Sequence, residues 1–183
     1  MDSNVFESSG EHGSVIGEAV FSPCRTYRYV LSRRWQQGTK PTVFLMMNPS
    51  KADAVNNDMT ISKCIGFARK WDASGIIVVN AFAYIATSPD DIVAAYRLGI
   101  DIVGKDNSKY ISAAIASTDR VVVACGSHQI LTIALPTIMA MIPSTVQLSC
   151  LGFTRGGHPR HPSRLSYGTA LEPYQTITEK RAA

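Results

Sequence analysis

The residues of this chain best suited to chemistry are polar side chains that directly follow apolar runs. They occur in four short segments: Met46-Met47-Asn48-Pro49-Ser50, Val78-Val79-Asn80, Cys125-Gly126-Ser127-His128 and His161-Pro162-Ser163-Arg164-Leu165-Ser166. Asparagine and histidine side chains both donate and accept hydrogen bonds, and histidine also exchanges protons near neutral pH. Together these segments predict a pocket that could hold a nucleobase and its phosphates.

Basic residues are concentrated in two stretches that contain no acid. The first stretch contains Arg25, Arg28, Arg33, Arg34 and Lys40, and the second contains Arg155, Arg160 and Arg164 beside His158 and His161. The net charge is only +4, so the position of the basic residues matters more than their number. Either stretch could lie against phosphate, and either could equally be a solvated face.

Four apolar runs must position these groups, and each reads as a buried strand. The runs are Thr42 to Met47, Gly75 to Asn80, Arg120 to Gly126 and Val146 to Gly152. Helical patterns lie between or beside them at Thr60 to Trp71, Ser88 to Leu98, Asp106 to Ser117 and Ser127 to Met141. Strands alternating with helices predict a mainly parallel sheet with both faces covered. Ligands of such sheets bind beyond the carboxyl ends of the strands, where all four polar segments fall.

The start of the chain follows a different pattern. Residues 1–15 are polar and predict a flexible tail, whereas residues 17–32 alternate around Ser22-Pro23 and predict an antiparallel hairpin. A length of 183 residues with 45% hydrophobic composition suits one domain, placed at residues 16–183. The predicted fold is therefore α/β, a three-layer α/β/α arrangement with a central, mainly parallel four-stranded sheet and an N-terminal antiparallel hairpin.

Cysteine usage and hydropathy limit the classes of protein that remain. The four cysteines, which are Cys24, Cys64, Cys125 and Cys150, lie far apart within or beside apolar segments and read as reduced core thiols. No Cys-x-x-Cys pair or dense Cys/His cluster occurs, so we expect no metal and no cofactor. No apolar run reaches the ~18 residues that a membrane span needs, so we expect a cytoplasmic protein.

The four polar segments, in this order, resemble the motifs of the uracil-DNA glycosylase superfamily. Asn48-Pro49-Ser50 looks like the Asn-Pro form of its first motif in the mismatch-specific branch, and Asn80 and Gly126 end strands as the family's residues do. The segment His161-Pro162-Ser163-Arg164-Leu165-Ser166 is similar to the family's His-Pro-Ser-Pro-Leu-Ser and differs at Arg164. A second and closer resemblance, over about residues 17–175, is to the uncharacterised domain-of-unknown-function 1643 family.

The first resemblance implies contacts to DNA. Leu165 would fill the space that a flipped base leaves in the duplex, and Ser163, Arg164 and Arg160 would hold the backbone. We place His158, Gly126, Ser127 and Arg28 with these DNA-binding residues. Classical uracil enzymes have a tyrosine where this chain has Ser50, which implies a roomier pocket for a modified or mismatched pyrimidine. Phe82, Tyr84 and Tyr27 are candidates to stack on the base, and core packing is the competing role for each.

Breaking an N-glycosidic bond requires a positioned water and stabilisation of charge on the departing base. Asn48 could position that water, and His161 could donate a hydrogen bond to the base, although either histidine could instead contact phosphate. Asn80 carries the paired donor and acceptor that reading a base edge requires. Asp58 could act as a stronger base than Asn48, or it could simply cap the following helix.

These residues predict a DNA glycosylase-like enzyme whose partner is single- or double-stranded DNA. Two alternatives remain open at this point. One is a hydrolase or transferase of free nucleosides or nucleotides, which needs no DNA groove. The other is a non-catalytic reader of a modified or flipped base, because Asn80, His161 and the basic loops would serve binding as well as cleavage.

Overall fold

One mixed sheet organises the chain in a computed structural model, which describes residues 6–12 and 15–175. Its strands are β1 (Phe6–His12), β2 (Val15–Phe21), β3 (Arg28–Arg34), β4 (Thr42–Met46), β5 (Gly75–Asn80), β6 (Arg120–Val123), β7 (Gln147–Cys150) and β8 (Glu172–Pro173). Their order across the sheet is β1-β2-β3-β5-β4-β6-β7-β8. Neighbours among β5, β4, β6 and β7 are parallel, which matches the four predicted central strands. The other pairings are antiparallel.

The helices are α1 (Met59–Lys70), α2 (Pro89–Arg97), α3 (Asn107–Ala116) and α4 (Leu135–Ala140). The predicted start of α2 is confirmed in detail, because Ser88 and Asp91 form a capping box and a proline occupies the first turn. The helix predicted from Ser127 to Met141 is wrong as a single element. It divides into a 3-10 turn at Gln129–Ile133 and the short α4, since Pro136 lacks the N–H that a continuous helix would use.

The N-terminal hairpin is larger than predicted. The β2 and β3 strands pair antiparallel as expected, but residues 6–12 also form a strand, β1, that pairs with β2. The predicted tail is therefore wrong for residues 6–12, whose backbone groups find partners along the whole of β2. Residues 1–5 and 13–14 of that predicted tail lie outside the described residues, as do residues 176–183.

Two hydrophobic cores lie on opposite faces of the central strands. Successive strand residues point to opposite faces, and in β4 Val43 and Leu45 join one core while Phe44 and Met46 join the other. The first core contains side chains of α2, α3 and α4, and the second contains side chains of α1. Every residue of β4 is buried. This double burial explains why the central strands read as continuous apolar runs.

Among the residues that the structure describes, no helix is both long enough and apolar enough to span a bilayer.

Candidate functional site

A cavity of about 1010 Å³ opens at the carboxyl ends of the parallel strands, where the polar segments were predicted to meet. The residues after β4, at the end of β5, after β6 and in the loop after β7 all contribute to its wall. Ten of the predicted site residues line it: Arg28, Asn48, Ser50, Asp58, Asn80, Gly126, Ser127, His161, Ser163 and Arg164. The fold therefore brings together groups that are more than 130 residues apart in the sequence.

Asn48 is held in one orientation by its own amide. The Nδ2 group donates to the carbonyl oxygen of Pro49 at 3.0 Å and to that of Ala86 at 2.9 Å. Both amide protons are then used, so the Oδ1 atom is left as the group with free hydrogen-bonding capacity. Asn48 therefore offers the cavity an acceptor suited to a water molecule.

His161 begins a 3-10 turn at Pro162–Arg164 and caps it with its ring. The Nδ1 atom accepts the backbone N–H of Ser163 at 3.4 Å and lies 3.0 Å from the Ser163 Oγ atom. An accepting Nδ1 places the ring proton of neutral histidine on Nε2. The ring keeps solvent contact, yet burial against the cavity wall lowers its pKa below the ordinary value, opposed by attraction to Asp58. His161 is thus set up as a neutral N–H donor.

Asp58 is both a helix cap and a cavity residue. Its Oδ1 atom accepts the backbone N–H of Ile61 at 2.8 Å, which confirms the capping role at the start of α1. Its Oδ2 atom accepts no hydrogen bond from any described residue. Since Asp58 also lines the cavity, the cap uses one carboxylate oxygen and leaves the other for a ligand or water.

Asn80 ends β5 and is only 1% exposed. Its carbonyl oxygen accepts a hydrogen bond from the side chain of Asn107 at 3.0 Å, which fixes the backbone there. Its side-chain nitrogen is buried and has no hydrogen-bond partner in the described part of the chain, although the residue lines the cavity. A buried amide that lacks a partner in the protein is suited to a polar ligand.

Arg28 lies inside the protein, although its basic stretch suggested an outer surface. It is 3% exposed, and its Nη1 atom donates to the carbonyl oxygen of Ala52, while no described residue accepts a hydrogen bond from its Nε atom. Burial lowers the pKa of the guanidinium to about 10, opposed by the charge of Asp58, and the group remains protonated at neutral pH. Arg33 is buried to the same extent, so neither arginine lies on an outer face.

Two predicted site residues belong to the core instead. Phe82 is 0% exposed and packs in the first core, so it cannot stack on a base in the cavity. Leu165 is 5% exposed and packs in the second core with Ile61 and Cys64 of α1, so it is not available to enter a duplex. Their apolar character serves packing here, which corrects both assignments.

The remaining predicted residues divide between the cavity and its surroundings. Ser50, Ser127, Ser163 and Arg164 line it, as does Gly126, whose φ of +78° suits the turn after β6 only because glycine lacks a Cβ atom. His158 and Arg160 do not line it. The His158 backbone instead pairs with Thr154 within the loop, and Arg160 is exposed.

The candidates for stacking on a base also lie elsewhere. Tyr27 and Tyr84 pack edge to face with ring centroids 6.0 Å apart, and the Tyr27 hydroxyl donates to the carbonyl oxygen of Asp101 at 2.8 Å. Among the described residues that line the cavity, none is a phenylalanine, tyrosine or tryptophan. Its apolar wall instead contains Met46, Met47, Met59, Ile61 and Val78.

Sequence reasoning missed His128 as a site residue, although its segment was noted. His128 lines the cavity and caps the 3-10 turn at Gln129–Ile133, with Nδ1 accepting the backbone N–H of Ile130 at 3.3 Å. Its position just after Gly126-Ser127 at a strand end was the available signal. Cys125 was read correctly as a buried thiol, and burial raises its pKa to about 12.

Within the described part of the chain, no three His, Cys, Asp or Glu side chains gather closely enough to hold a metal ion. The polar groups of the cavity are instead hydrogen-bond donors and acceptors, together with one carboxylate and two arginines. Such a set is suited to an organic ligand with several polar atoms.

A family model whose description is "Protein of unknown function (DUF1643)" matches residues 28–163. The chain belongs to the DUF1643 family. That match confirms the closer of the two sequence resemblances and covers the cavity residues from Arg28 to Ser163. No curated protein matches the chain.

Proposed function

We propose that this chain is a DNA glycosylase-like enzyme that hydrolyses the N-glycosidic bond of a flipped-out pyrimidine. The observation that carries the proposal is that Asn48, held with its Oδ1 atom free, shares one cavity with the N–H donor His161 and the unpartnered amide of Asn80. The proposal includes the finer architecture, a three-layer arrangement of the uracil-DNA glycosylase type. The two cores on opposite faces of the parallel strands support it.

The chemistry follows from the groups in the cavity. As the bond between C1′ and the base breaks, its electron pair leaves with the base, and the Nε2–H group of His161 stabilises the charge there. Asn48 Oδ1 positions the water whose oxygen bonds to C1′. The free carboxylate oxygen of Asp58 accepts the proton that this water loses, a role for which an amide is too weak a base.

The wall of the cavity favours a modified pyrimidine. Asn80 offers a donor and an acceptor to the hydrogen-bonding edge of the base, and Met46 and Met47 offer polarisable sulfur to its ring. Ser50 is a small side chain on the same wall, so it leaves room for a substituent on the base. We therefore propose a 5-substituted or mismatched pyrimidine as the substrate.

A second candidate function is hydrolysis or group transfer on free nucleosides or nucleotides. The burial of Leu165 favours it, because an enzyme without an apolar wedge has less means of holding a duplex open. The same cavity would accept the same base. Binding to a polymer depends strongly on salt, whereas binding of one nucleotide depends on it far less, so the two candidates are separable.

Formation of abasic sites tests the proposal directly. The purified protein is incubated with labelled single- and double-stranded DNA that contains uracil, mismatched thymine, 5-hydroxymethylcytosine or glucosylated cytosine, and alkali then cleaves the strand at any abasic site. We expect cleavage at one of these bases. Replacing Asn48 or His161 by alanine should lower the rate by about 10²-fold or more, the usual contribution of such groups.

The chain supplies matched controls for both substitutions. His158→Ala removes a histidine from the same loop that does not line the cavity, and Asn56→Ala removes an exposed asparagine. Both variants should keep the wild-type rate at saturating DNA, where the loss of a backbone contact from His158 would not limit the reaction. If no substrate yields abasic sites while one strand is bound in a salt-dependent way, the enzyme proposal fails and the reader function replaces it.

A further inference from the structure

Two buried hydrogen-bond donors that find no partner among the described residues belong to side chains on the wall of the same cavity. They are the Nε atom of Arg28 and the Nδ2 atom of Asn80. Ser74 Oγ and Asn107 Oδ1 are also buried without partners in the described residues, but neither residue lines the cavity. An unmade hydrogen bond on a buried donor is costly, so native structures rarely keep one without a reason.

The charge of Arg28 is also poorly compensated. Among the described residues, the only ion pair within 4.0 Å joins Lys40 to Asp119, so no carboxylate contacts the guanidinium of Arg28. Asp58 and Asp53 attract it from a greater distance. Because a buried cation without a contacting anion destabilises a folded chain, Arg28 is suited to receive an anion from outside.

Arg33 shows that burial of an arginine on this strand does not by itself leave donors unused. It lies on β3 like Arg28 and is equally buried at 3% exposed. Its guanidinium donates to the side chain of Asn57 and to the carbonyl oxygens of Ser32, Asp53 and Asn56. Arg33 therefore holds the loop before α1, whereas Arg28 keeps a free donor beside the cavity.

We propose that Arg28, together with the side-chain nitrogen of Asn80, binds an oxyanion of the substrate inside the cavity. This inference rests on the proposed function in taking the cavity as the substrate site. Planar guanidinium and amide donors match the oxygens of a carboxylate or a phosphate. A base with an anionic substituent and a free nucleotide could each supply that chemistry.

The location of Arg28 favours the base as the source. A side chain that is 3% exposed is too deep for the backbone phosphates of a DNA strand, which stay outside when a base is flipped. Its Nη1 atom donates to the carbonyl oxygen of Ala52, two residues after Ser50. Arg28 and Ser50 line the same cavity, so one chamber offers both a donor for an oxyanion and room for a substituent on the base. A 5-carboxyl group on the pyrimidine fits both requirements.

Binding of three small probes tests the inference without requiring turnover. Isothermal titration calorimetry measures the dissociation constants of 2′-deoxyuridine, 5-carboxy-2′-deoxyuridine and 2′-deoxyuridine 5′-monophosphate. We expect the 5-carboxy nucleoside to bind at least tenfold more tightly than the neutral nucleoside. Arg28→Met should abolish that preference and leave the affinity for 2′-deoxyuridine within about twofold of wild type, since a hydrogen bond to a charged group contributes most of the difference.

Matched variants separate binding from folding. Arg33→Met removes an equally buried arginine from the same strand and should lower stability while keeping the preference. Arg28→Lys keeps the positive charge but lacks the Nε donor of the guanidinium. It replaces Arg28→Met in the binding measurement if that variant does not fold. We expect it to retain only a small part of the preference.

The outcomes distinguish the base from a nucleotide phosphate as the source of the oxyanion, and they separate the oxyanion site from the glycosylase proposal. A preference that depends on Arg28 for the 5′-monophosphate alone supports the oxyanion site and assigns it to a nucleotide phosphate. Equal binding of all three probes, or a preference that survives in both Arg28 variants, overturns the inference. Abasic-site formation together with equal binding overturns only the oxyanion site. An Arg28-dependent preference without abasic sites, in DNA that also carries the 5-carboxylated base, overturns only the glycosylase.

Discussion

His128 and His161 play equivalent structural roles in two separate loops. Each ring caps a 3-10 turn by accepting, through Nδ1, the backbone N–H of the residue two positions later. Both residues line the same cavity. An accepting Nδ1 leaves the proton of a neutral ring on Nε2, so this wall of the cavity carries two N–H donors whose tautomers are fixed by the backbone.

This relationship predicts opposite effects for two conservative replacements of His161. Asparagine places an amide oxygen near the position of Nδ1, so His161→Asn should keep the cap and the stability while losing the Nε2 donor. We expect its rate of base release to fall about 10²-fold. Glutamine places an amide nitrogen near the position of Nε2, so His161→Gln should recover part of that rate. Abasic-site assays and urea unfolding measure both properties. Equal rates for the two variants would contradict an N–H donor at Nε2.

The lowered pKa of His161 predicts how activity and stability depend on pH. Burial favours the neutral ring in the folded chain, so protonation occurs below the ordinary value of 6.5. A proton on Nδ1 would prevent that atom from accepting the Ser163 N–H, and the ring would lose the contact that orients its Nε2 donor. Activity should therefore stay constant from pH 8 to pH 6.5 and fall only at lower pH. Stability should also decrease as pH falls below 6.5, because the unfolded chain binds the proton first, and should level off below the folded pKa.

Nuclear magnetic resonance titration of the imidazole proton measures that pKa directly. Urea unfolding at pH 7 and pH 5 measures the change in stability, and His161→Asn isolates the contribution of this ring from that of the carboxylates. A His161 resonance that titrates at or above pH 6.5, or an equal pH dependence in wild type and His161→Asn, would contradict a lowered pKa of the ring.

Two substitutions separate the capping and chemical roles of Asp58. Asparagine is as good an N-cap as aspartate, so Asp58→Asn should unfold at nearly the wild-type urea concentration, whereas Asp58→Ala should lose about 1 kcal/mol. If the free carboxylate oxygen accepts the proton of the attacking water, both variants should lose about 10²-fold or more in rate. A fully active Asp58→Asn enzyme would show that the residue acts only as a cap.

The central sheet could be predicted because a parallel strand that is buried on both faces requires a continuous apolar run, as in Thr42 to Met47. The convergence of the polar segments followed from their positions at the ends of such strands. The sequence did not predict the depth of the arginines. The basic stretch that contains Arg28 and Arg33 has the charge of a solvated surface. Arg33, however, lies two residues after the fully buried Leu31 on β3, and strand alternation places both side chains on the same face. Whether Leu165 packs inside or projects outward depends on tertiary contacts with α1, which local sequence does not encode.

The buried position of Leu165 predicts a stability defect rather than a specific DNA-binding defect. Leu165→Ala leaves a cavity in the core beside α1, so the free energy of unfolding should fall by about 2–5 kcal/mol. Met59→Ala is the matched control, because Met59 is an apolar residue of α1 that is 71% exposed. It should change stability by about 0.5 kcal/mol or less. Urea unfolding monitored by tryptophan fluorescence compares the stability of the two variants. Near-wild-type stability of Leu165→Ala would contradict its burial and would favour the predicted role of Leu165 in the DNA duplex.

The four cysteines should differ sharply in reactivity. Cys24 is exposed, and hydrogen bonds from Ser22 and Thr26 stabilise its thiolate and lower its pKa to about 7. The thiolate is the reactive form, and Cys64, Cys125 and Cys150 are buried. At pH 7 we therefore expect one fast-reacting thiol per chain with dithionitrobenzoate, and Cys24→Ser should remove that phase. Ser22→Ala should slow the reaction at pH 7 and leave it unchanged well above pH 9, where the thiolate forms without that hydrogen bond. A second fast phase in the folded protein would contradict the burial of the other three thiols.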